Sequence, residues 1–499
     1  MDNMAQPSDK APTKAPRATS NRSTTPVSDA FKAYISSDWA DRPDVAPAPR
    51  EQADFAAARR VALSRRFPGK RLIVPAGAAK VRSNDTDYAY RAHSAFAHLT
   101  GWGSDTVAGS ILVLEPEGNG HEATLYFRRP AGRGMDEFYA NPEIGEFWIG
   151  PRPSLSHVAA DLGLATSDLS AFVEVVDTVD GDTLILRDGD RDVTDSIDGR
   201  RLLAADTESL ETDGDADLAR ELSEMRLVKD SFEIEQMRQA VAATRQAFDD
   251  VINDLPAIVA HERGERLVEG TFNRRARAEG NTVGYDTIAA SGPHACILHW
   301  TRNDGPVIPG DLILLDAGVE LDSLYTADIT RTLPVNGHFT EVQRLVYEAV
   351  REAADAAFAI VKPGIRFREI HAEAMKVVAA KTAEWGFLPV SAEESLQPEL
   401  QYHRRYMVHG TSHHLGIDVH DCAQARRDLY LDGILEAGMV FTIEPGLYFQ
   451  PDDLTVPAEY RGIGVRIEDN ILVTESGAEN LSIGIPRTAD DVEAWLAGR

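Results

Sequence analysis

The chain has 499 residues, enough for two or three domains with sizeable cores. Its composition, 43 % hydrophobic and 26 % charged, is that of a globular protein, and a formal charge of -29 disfavours nucleic acid and anionic membrane as partners, because both repel it. The two cysteines, Cys296 and Cys422, form no C-x-x-C pair and no disulfide framework, which points to a reducing cytoplasm. The N-terminal sequence has no apolar run of the secretory kind, and no window approaches ~18 uninterrupted apolar residues, so no membrane span is expected.

Taken in chain order, residues 1–28 are rich in Pro, Ser, Thr and Ala and are expected to be a disordered tail. An N-terminal α/β domain is read over 29–225. It opens with helical sequence over 29–66, broken by the loop "DRPDVAPAPR". From 72 to about 200, apolar runs read as strands alternate with turn signals: "RLIVPAG", "SILVLEPEGNG", "ATLYFRRP", "FVEVV" and "TLILRDGD", with helical patterns between them. The segment "LARELSEMRLVKDSFEIEQMRQAVAATRQAFDDVI" then carries apolar residues at helical spacing, as in Ile234, Met237, Val241 and Phe248. Lys229-Asp230-Ser231 divides it into two helices, with Ser231 as the expected N-cap. The second domain is placed at 226–499. Helices at 342–360 and 367–384 mix there with the strands "DLILLDAGVE", "MVFTIEPGLY" and "GIGVRIEDNILVT".

Those strands carry acids where apolar residues belong. Asp316 ends one apolar run, Asp328 precedes another, and Glu444 ends a third, before Pro445-Gly446. In the last strand, alternation sends Ile463, Val465, Ile467 and Asp469 to one face and Arg466, Glu468 and Asn470 to the other. A carboxylate buried unpaired is costly. One such acid is accounted for by an edge strand or by an ion pair to a neighbour such as Arg331 or Arg466. Several gathered together need a cation, or must protonate.

The stretch "HGTSHHLGIDVH", residues 409–420, holds four of the fourteen histidines. It is not a zincin helix, because Gly410 follows His409 where H-E-x-x-H needs glutamate, and Gly410, Thr411 and Ser412 form helix poorly. A metal served by these histidines must find its other ligands among the acids. Oxygen-rich ligation with one imidazole suits Mn, Co, Zn or Fe.

Together, "LLDAGVE", "TADITRT", "HGTSHHLGIDVHD", "FTIEPGLY" and "GIGVRIEDNILVTESGAENLS" resemble the Xaa-Pro aminopeptidases (aminopeptidase P) of the pita-bread metallopeptidases. The resemblance runs from about 85 to the end and is most specific over 280–485. It implies an N-terminal α/β domain followed by a pita-bread catalytic domain. It also implies five ligands for two divalent ions: Asp316, Asp328, His413, Glu444 and Glu468. Manganese is the family's usual metal, with cobalt, zinc and iron left open. By the same resemblance Glu444 handles the proton of a metal-bound water, and His420 and His299 steady the substrate and the tetrahedral intermediate. His409 lines a proline pocket, and Arg466 and Tyr448 stand around the site. His414 has no implied role, with packing or surface both open, and His403 is read as surface. One departure is visible: Asp316 and Asp328 lie twelve residues apart, where eleven is expected, the extra one falling in "VELDSLYTA".

The implied activity is release of an N-terminal residue that precedes proline, by attack of metal-bound hydroxide. A proline dipeptidase would share the fold and ligands, but "QYHRRYMVHGTSHHLGIDVHD" is closer to the aminopeptidases. A non-catalytic peptide-binding module, or a metal-free relative acting on creatine, is disfavoured by the full ligand set. A dimer or tetramer in the cytoplasm is expected, with peptides carrying proline in second position as partners, and neither nucleic acid nor membrane.

Overall fold

The computed structural model describes residues 25–84, 86–205, 210 and 212–498, so the expected tail lies outside it except for residues 25–28. The chain divides into two compact units, Met1–Ala219 and Arg220–Arg499.

The first unit holds the helices Asp29–Ser36 and Ala53–Arg66 and a five-stranded sheet. Across that sheet the strands run Ala165–Asp168, Gly120–Phe127, Ile111–Glu117, Arg71–Pro75 and Thr183–Ile185. The three central strands pair antiparallel and each edge strand joins in parallel. A parallel neighbour needs a crossover, and the helix Leu155–Leu162 lies in the one leading to Ala165–Asp168. The run "FVEVV" is not a strand. It forms the helix Phe172–Asp177, entered through a 3-10 turn whose first residues are capped by the Asp168 side chain on Ser170 N–H at 3.0 Å. Phe172 and Val175, three apart, supply its buried face, so local capping overrode the β-branched composition.

The second unit shows one pattern twice. The helices Ser231–Val259 and Gly264–Glu279 precede an antiparallel sheet of Ile288–Ser291, Leu312–Ala317 and Ile329–Pro334. The helices Glu341–Ala359 and Phe367–Glu384 then precede a second sheet of Val440–Ile443, Asp469–Val473 and Ala478–Asn480. A continuous core that includes Phe248, Phe272, Tyr347, Phe441 and Phe449 joins helices to strands. This is the pita-bread arrangement, with Asp316 and Asp328 in the first half and Glu444 and Glu468 in the second. The N-cap of the long helix is Asp230, not Ser231. Its side chain accepts from Glu233 N–H at 3.0 Å while Glu233 reaches back to Asp230 N–H at 2.9 Å, a reciprocal box that serine one residue later could not complete.

Each acid-bearing run read as one strand is in fact two, broken at or just after the acid. Leu312–Ala317 and Val319–Glu320 are separated by Gly318, where a Cβ would lie 1.7 Å from the carbonyl oxygen of Ala327. Val440–Ile443 and Gly446–Tyr448 are separated by Glu444 and Pro445, and proline has no N–H for a ladder. Gly464–Arg466 and Asp469–Val473 are separated by Ile467 and Glu468, and the two pieces pair with different strands. Glu444 and Glu468 thus sit where a strand leaves one sheet for another, while Asp316 stays on the ladder, paired with Thr330 and Ile288, two residues before the break at Gly318.

Candidate metal centre

The two aspartates are brought together by one hairpin. Asp316 pairs with Thr330 and Ala317 with Ile329, which leaves Asp328 one step beyond the ladder on the partner strand. The hairpin continues through a bridge between Glu320 and Thr326 and closes by Leu321 N–H to Tyr325 O at 2.9 Å. Its tip is the three residues Asp322, Ser323 and Leu324, with Leu324 at φ 71°. That is the three-residue hairpin class ending in a left-handed residue. Leucine is strained there, but it is fully buried.

His413 lies on irregular chain that adds itself to the second sheet. Thr442 N–H donates to His413 O at 2.9 Å, Leu415 N–H to Val440 O at 3.1 Å and Glu444 N–H to Thr411 O at 2.8 Å. No helix forms over 410–412, as their composition suggests.

These elements bring three donor side chains, Asp328, His413 and Glu468, to one point, with one ligand atom of each lying within 4.8 Å of the other two. His413 Nε2 is 3.2 Å from Asp328 Oδ2 and 3.7 Å from Glu444 Oε1. Asp316 joins through Tyr285, whose hydroxyl is 2.6 Å from Asp316 Oδ1 and also contacts Asp328 Oδ1. Burial first, and then the neighbouring carboxylates, push Asp328, Glu444 and Glu468 well above the usual carboxylate range. Without a cation these side chains must hold protons. With one, they release them. Four carboxylates, one imidazole and no thiol fit hard or borderline divalent ions.

Around this centre runs a second set of contacts. Arg466 donates from Nη2 to Asp316 Oδ2 at 2.5 Å, from Nη1 to Tyr448 Oη at 3.0 Å and from Nε to Thr330 Oγ1 at 3.2 Å. Thr330 in turn donates to Glu468 Oε2 at 2.8 Å. His409 Nδ1 stands 2.6 Å from the Gly410 carbonyl and so carries the proton, which leaves Nε2 to accept from the Tyr448 hydroxyl at 2.8 Å. Burial, then Arg466, lower the His409 pKa to about 3, so it is a neutral imidazole. His420 packs its ring edge-on against His413, centroids 4.5 Å apart, and keeps solvent access. Surrounding protein first, then the charges of His413 and His299, lower its pKa. His299 is exposed on the loop after Ile288–Ser291.

The remaining histidines of the motif region separate. His414 turns away from the centre, stacked on Phe367 at 4.5 Å and edge-on to Tyr430 at 4.7 Å, and burial lowers its pKa to about 3. His403 is not on the surface as expected. It is buried, with Nδ1 2.9 Å from Ser395 Oγ, because the 3-10 turn Tyr402–Arg405 packs against the short helix Ala392–Ser395. Tyr285 and Thr330 were missed. Tyr285 falls in "NTVGYDT" with no motif around it, and only the pairing of Ile288 with Asp316 reveals that it lies beside the acids.

Residues 235–475 match the metallopeptidase family M24, and residues 56–181 match the N-terminal domain of aminopeptidase P. The chain is 51 % identical to Xaa-Pro aminopeptidase 2 of Streptomyces coelicolor, over 94 % of this chain and 96 % of that protein. The chain belongs to the Xaa-Pro aminopeptidases. A further member, Xaa-Pro aminopeptidase 1 of the same organism, is 48 % identical over 94 % of this chain and 92 % of that one. The solved structure of a variant of Escherichia coli aminopeptidase P in complex with substrate superposes with a TM-score of 0.76 at 28 % identity, covering 91 % of this chain and 99 % of that chain. Xaa-Pro aminopeptidases of the M24 family use divalent metal ions, and the donors gathered here suit them.

Proposed function

We propose that this chain is a metal-dependent aminopeptidase that releases the N-terminal residue of peptides with proline in second position. The observation that carries the reading is the convergence of Asp328, His413 and Glu468 on one point, in a chain alike over almost its whole length to Xaa-Pro aminopeptidases. Asp316, Asp328, His413, Glu444 and Glu468, all in the catalytic domain taken from residue 226, are assigned to two divalent ions, manganese in the first instance. Such a pair supplies Lewis-acid polarisation of the scissile carbonyl and acidification of water near neutral pH.

The protein's own groups do the rest. Glu444 takes and returns the water's proton: its oxygens lie within 3.7 Å of both His413 and His409. Because His409 is neutral and held by Tyr448, it offers an uncharged ring surface to the proline of the substrate. Arg466 fixes Asp316 and Tyr448 at once, tying ligand to pocket. His420, edge-on to His413, and His299, both exposed, donate hydrogen bonds to the carbonyl oxygen as charge develops there. Among the described residues no helix is long and apolar enough to cross a membrane. A homo-oligomer, dimer or tetramer, in the cytoplasm completes the proposal.

The test is incubation of the purified protein and Mn²⁺ with an Xaa-Pro dipeptide, an Xaa-Pro-Yaa peptide and its N-acetylated form, with products identified by mass. Release of the first residue from the longer free peptide is expected, along with loss of activity on chelation and its return with Mn²⁺. Cleavage of the dipeptide alone would make the protein a proline dipeptidase, and equal cleavage of the acetylated peptide would exclude an aminopeptidase.

A further inference from the structure

His299 stands exposed on irregular chain, yet a donor aimed at developing charge must be held in place. We propose that Glu265 is the positioning residue for His299, one buried carboxyl group that clamps the loop carrying it at both ends and in the middle. The proposal rests on the reading of His299 as a substrate-facing residue.

Glu265 is the second residue of the helix Gly264–Glu279, and its side chain is 0 % exposed. Its Oε1 accepts from Ser291 N–H at 2.8 Å and lies 2.8 Å from His294 Nδ1. Its Oε2 accepts from Gly305 N–H at 2.7 Å and from the Trp300 indole N–H at 2.9 Å. All four partners belong to the stretch 291–305, and the Glu265 N–H closes the ring by donating to Gly305 O at 3.1 Å. Trp300 directly follows His299, and its indole stacks on His294, centroids 3.8 Å apart at 25°. The fit leaves no slack at Gly305, where a Cβ would lie 2.7 Å from His294 Cε1 and 2.9 Å from Glu265 Oε2.

One helical turn on, Glu269 Oε2 accepts from Asn303 Nδ2 at 3.2 Å. Asn303 also donates to Thr287 O at 2.8 Å and accepts from Ala289 N–H at 3.0 Å, holding the loop's return at φ 46°. On the other side the loop is pinned by Gln450 Nε2 to Cys296 O at 2.8 Å. Between these anchors the backbone at His299 has little freedom. A carboxylate can accept from four donors, whereas an amide of the same shape accepts from two and turns its own N–H groups toward the others.

The decisive experiment is Glu265→Gln and His299→Ala, singly and combined, with the metal-loaded enzyme. Glu265→Gln is expected to lower kcat by about tenfold to a hundredfold, with KM within about twofold and metal content unchanged. In the His299→Ala background the same change should cost less than about twofold, because the two act through one group. Hydrogen exchange should rise across 291–305 and not in the helices. Trp300→Phe, which removes one donor to Oε2 and keeps the stack, should give the same pattern more weakly, and it stands in if Glu265→Gln does not fold. Losses that multiply in the double variant, lost metal, or unchanged kcat would overturn the proposal. A wild-type protein inactive on Xaa-Pro peptides would remove the functional reading and the catalytic half of this one, while exchange over 291–305 would still decide whether Glu265 holds the loop.

Discussion

Glu468 and Asp469 are neighbours in the chain, and each is 2 % exposed, yet they sit in opposite electrostatic worlds. Burial works against the ionised form of both. At Asp469 the guanidinium groups of Arg331, at 2.7 Å, and Arg487, at 3.0 Å, more than offset it, and the pKa falls below the usual range. At Glu468 the charges of Asp328 and Asp316 add to burial and outweigh Arg466, and the pKa rises well above it. The break between Gly464–Arg466 and Asp469–Val473 puts one carboxyl against two guanidinium groups and the other among its like. A buried acid paired within the chain supports the fold. One gathered among its like must protonate or take up a cation.

Four measurements would break or sharpen that contrast. The largest effect belongs to Glu468→Gln. It should lose bound metal and roughly 10³-fold or more of turnover, while the metal-free protein melts no lower than wild type, since one of several like groups has gone. Calorimetry showing a clear drop in stability would place Glu468 with Asp469 instead. Asp469→Asn should do the reverse. Leaving two buried guanidinium groups short of a counter-charge destabilises by about 3–5 kcal/mol, read by denaturant unfolding, with kcat per folded molecule near wild type.

His420→Ala comes next. It should keep its metal and melting temperature and lose roughly 10²–10³ in kcat, about 3–4 kcal/mol, far more than KM changes. If metal is lost instead, His420 is a ligand and the division of the histidines is wrong. The smallest effect is in pH. Because the folded Asp469 pKa lies below the unfolded value, its stabilisation is present above pH ~4 and is lost as pH falls through the lower folded value. The stability gap between wild type and Asp469→Asn should therefore narrow below pH ~4 and stay constant above it. A gap that widened on acidification would mean the aspartate is protonated in the folded state.

Much of this was legible in the sequence, because an acid at the end of an apolar run breaks a pattern that hydrophobic burial enforces elsewhere. Asp316, Asp328, Glu444 and Glu468 were found that way, and alternation placed Glu468 and Asp469 on opposite faces. Which arginine serves which acid stayed open, because it depends on pairing between runs distant in sequence: Arg331 went to Asp469 and Arg466 to Asp316. Tyr285 was invisible for the same reason. The breaks at Gly318, Pro445 and Ile467 were missed because each half-strand is as apolar as its continuation. His403 and the run "FVEVV" were misread because a local partner, Ser395 in one case and Asp168 in the other, outweighed composition.

The hairpin tip at Asp322-Ser323-Leu324 has a wider consequence. The ladder from Ala317 and Ile329 out to Glu320 and Thr326 fixes Asp316 and Asp328 relative to each other before the chain reaches its turn. How many residues the turn then uses is a question of hairpin class, settled far from the acids. The interval between two such acids along the chain is thus a poor ruler for the distance between them in space. A search keyed to a fixed interval would pass over this protein, whereas one keyed to an acid at the end of each of two paired apolar runs would find it.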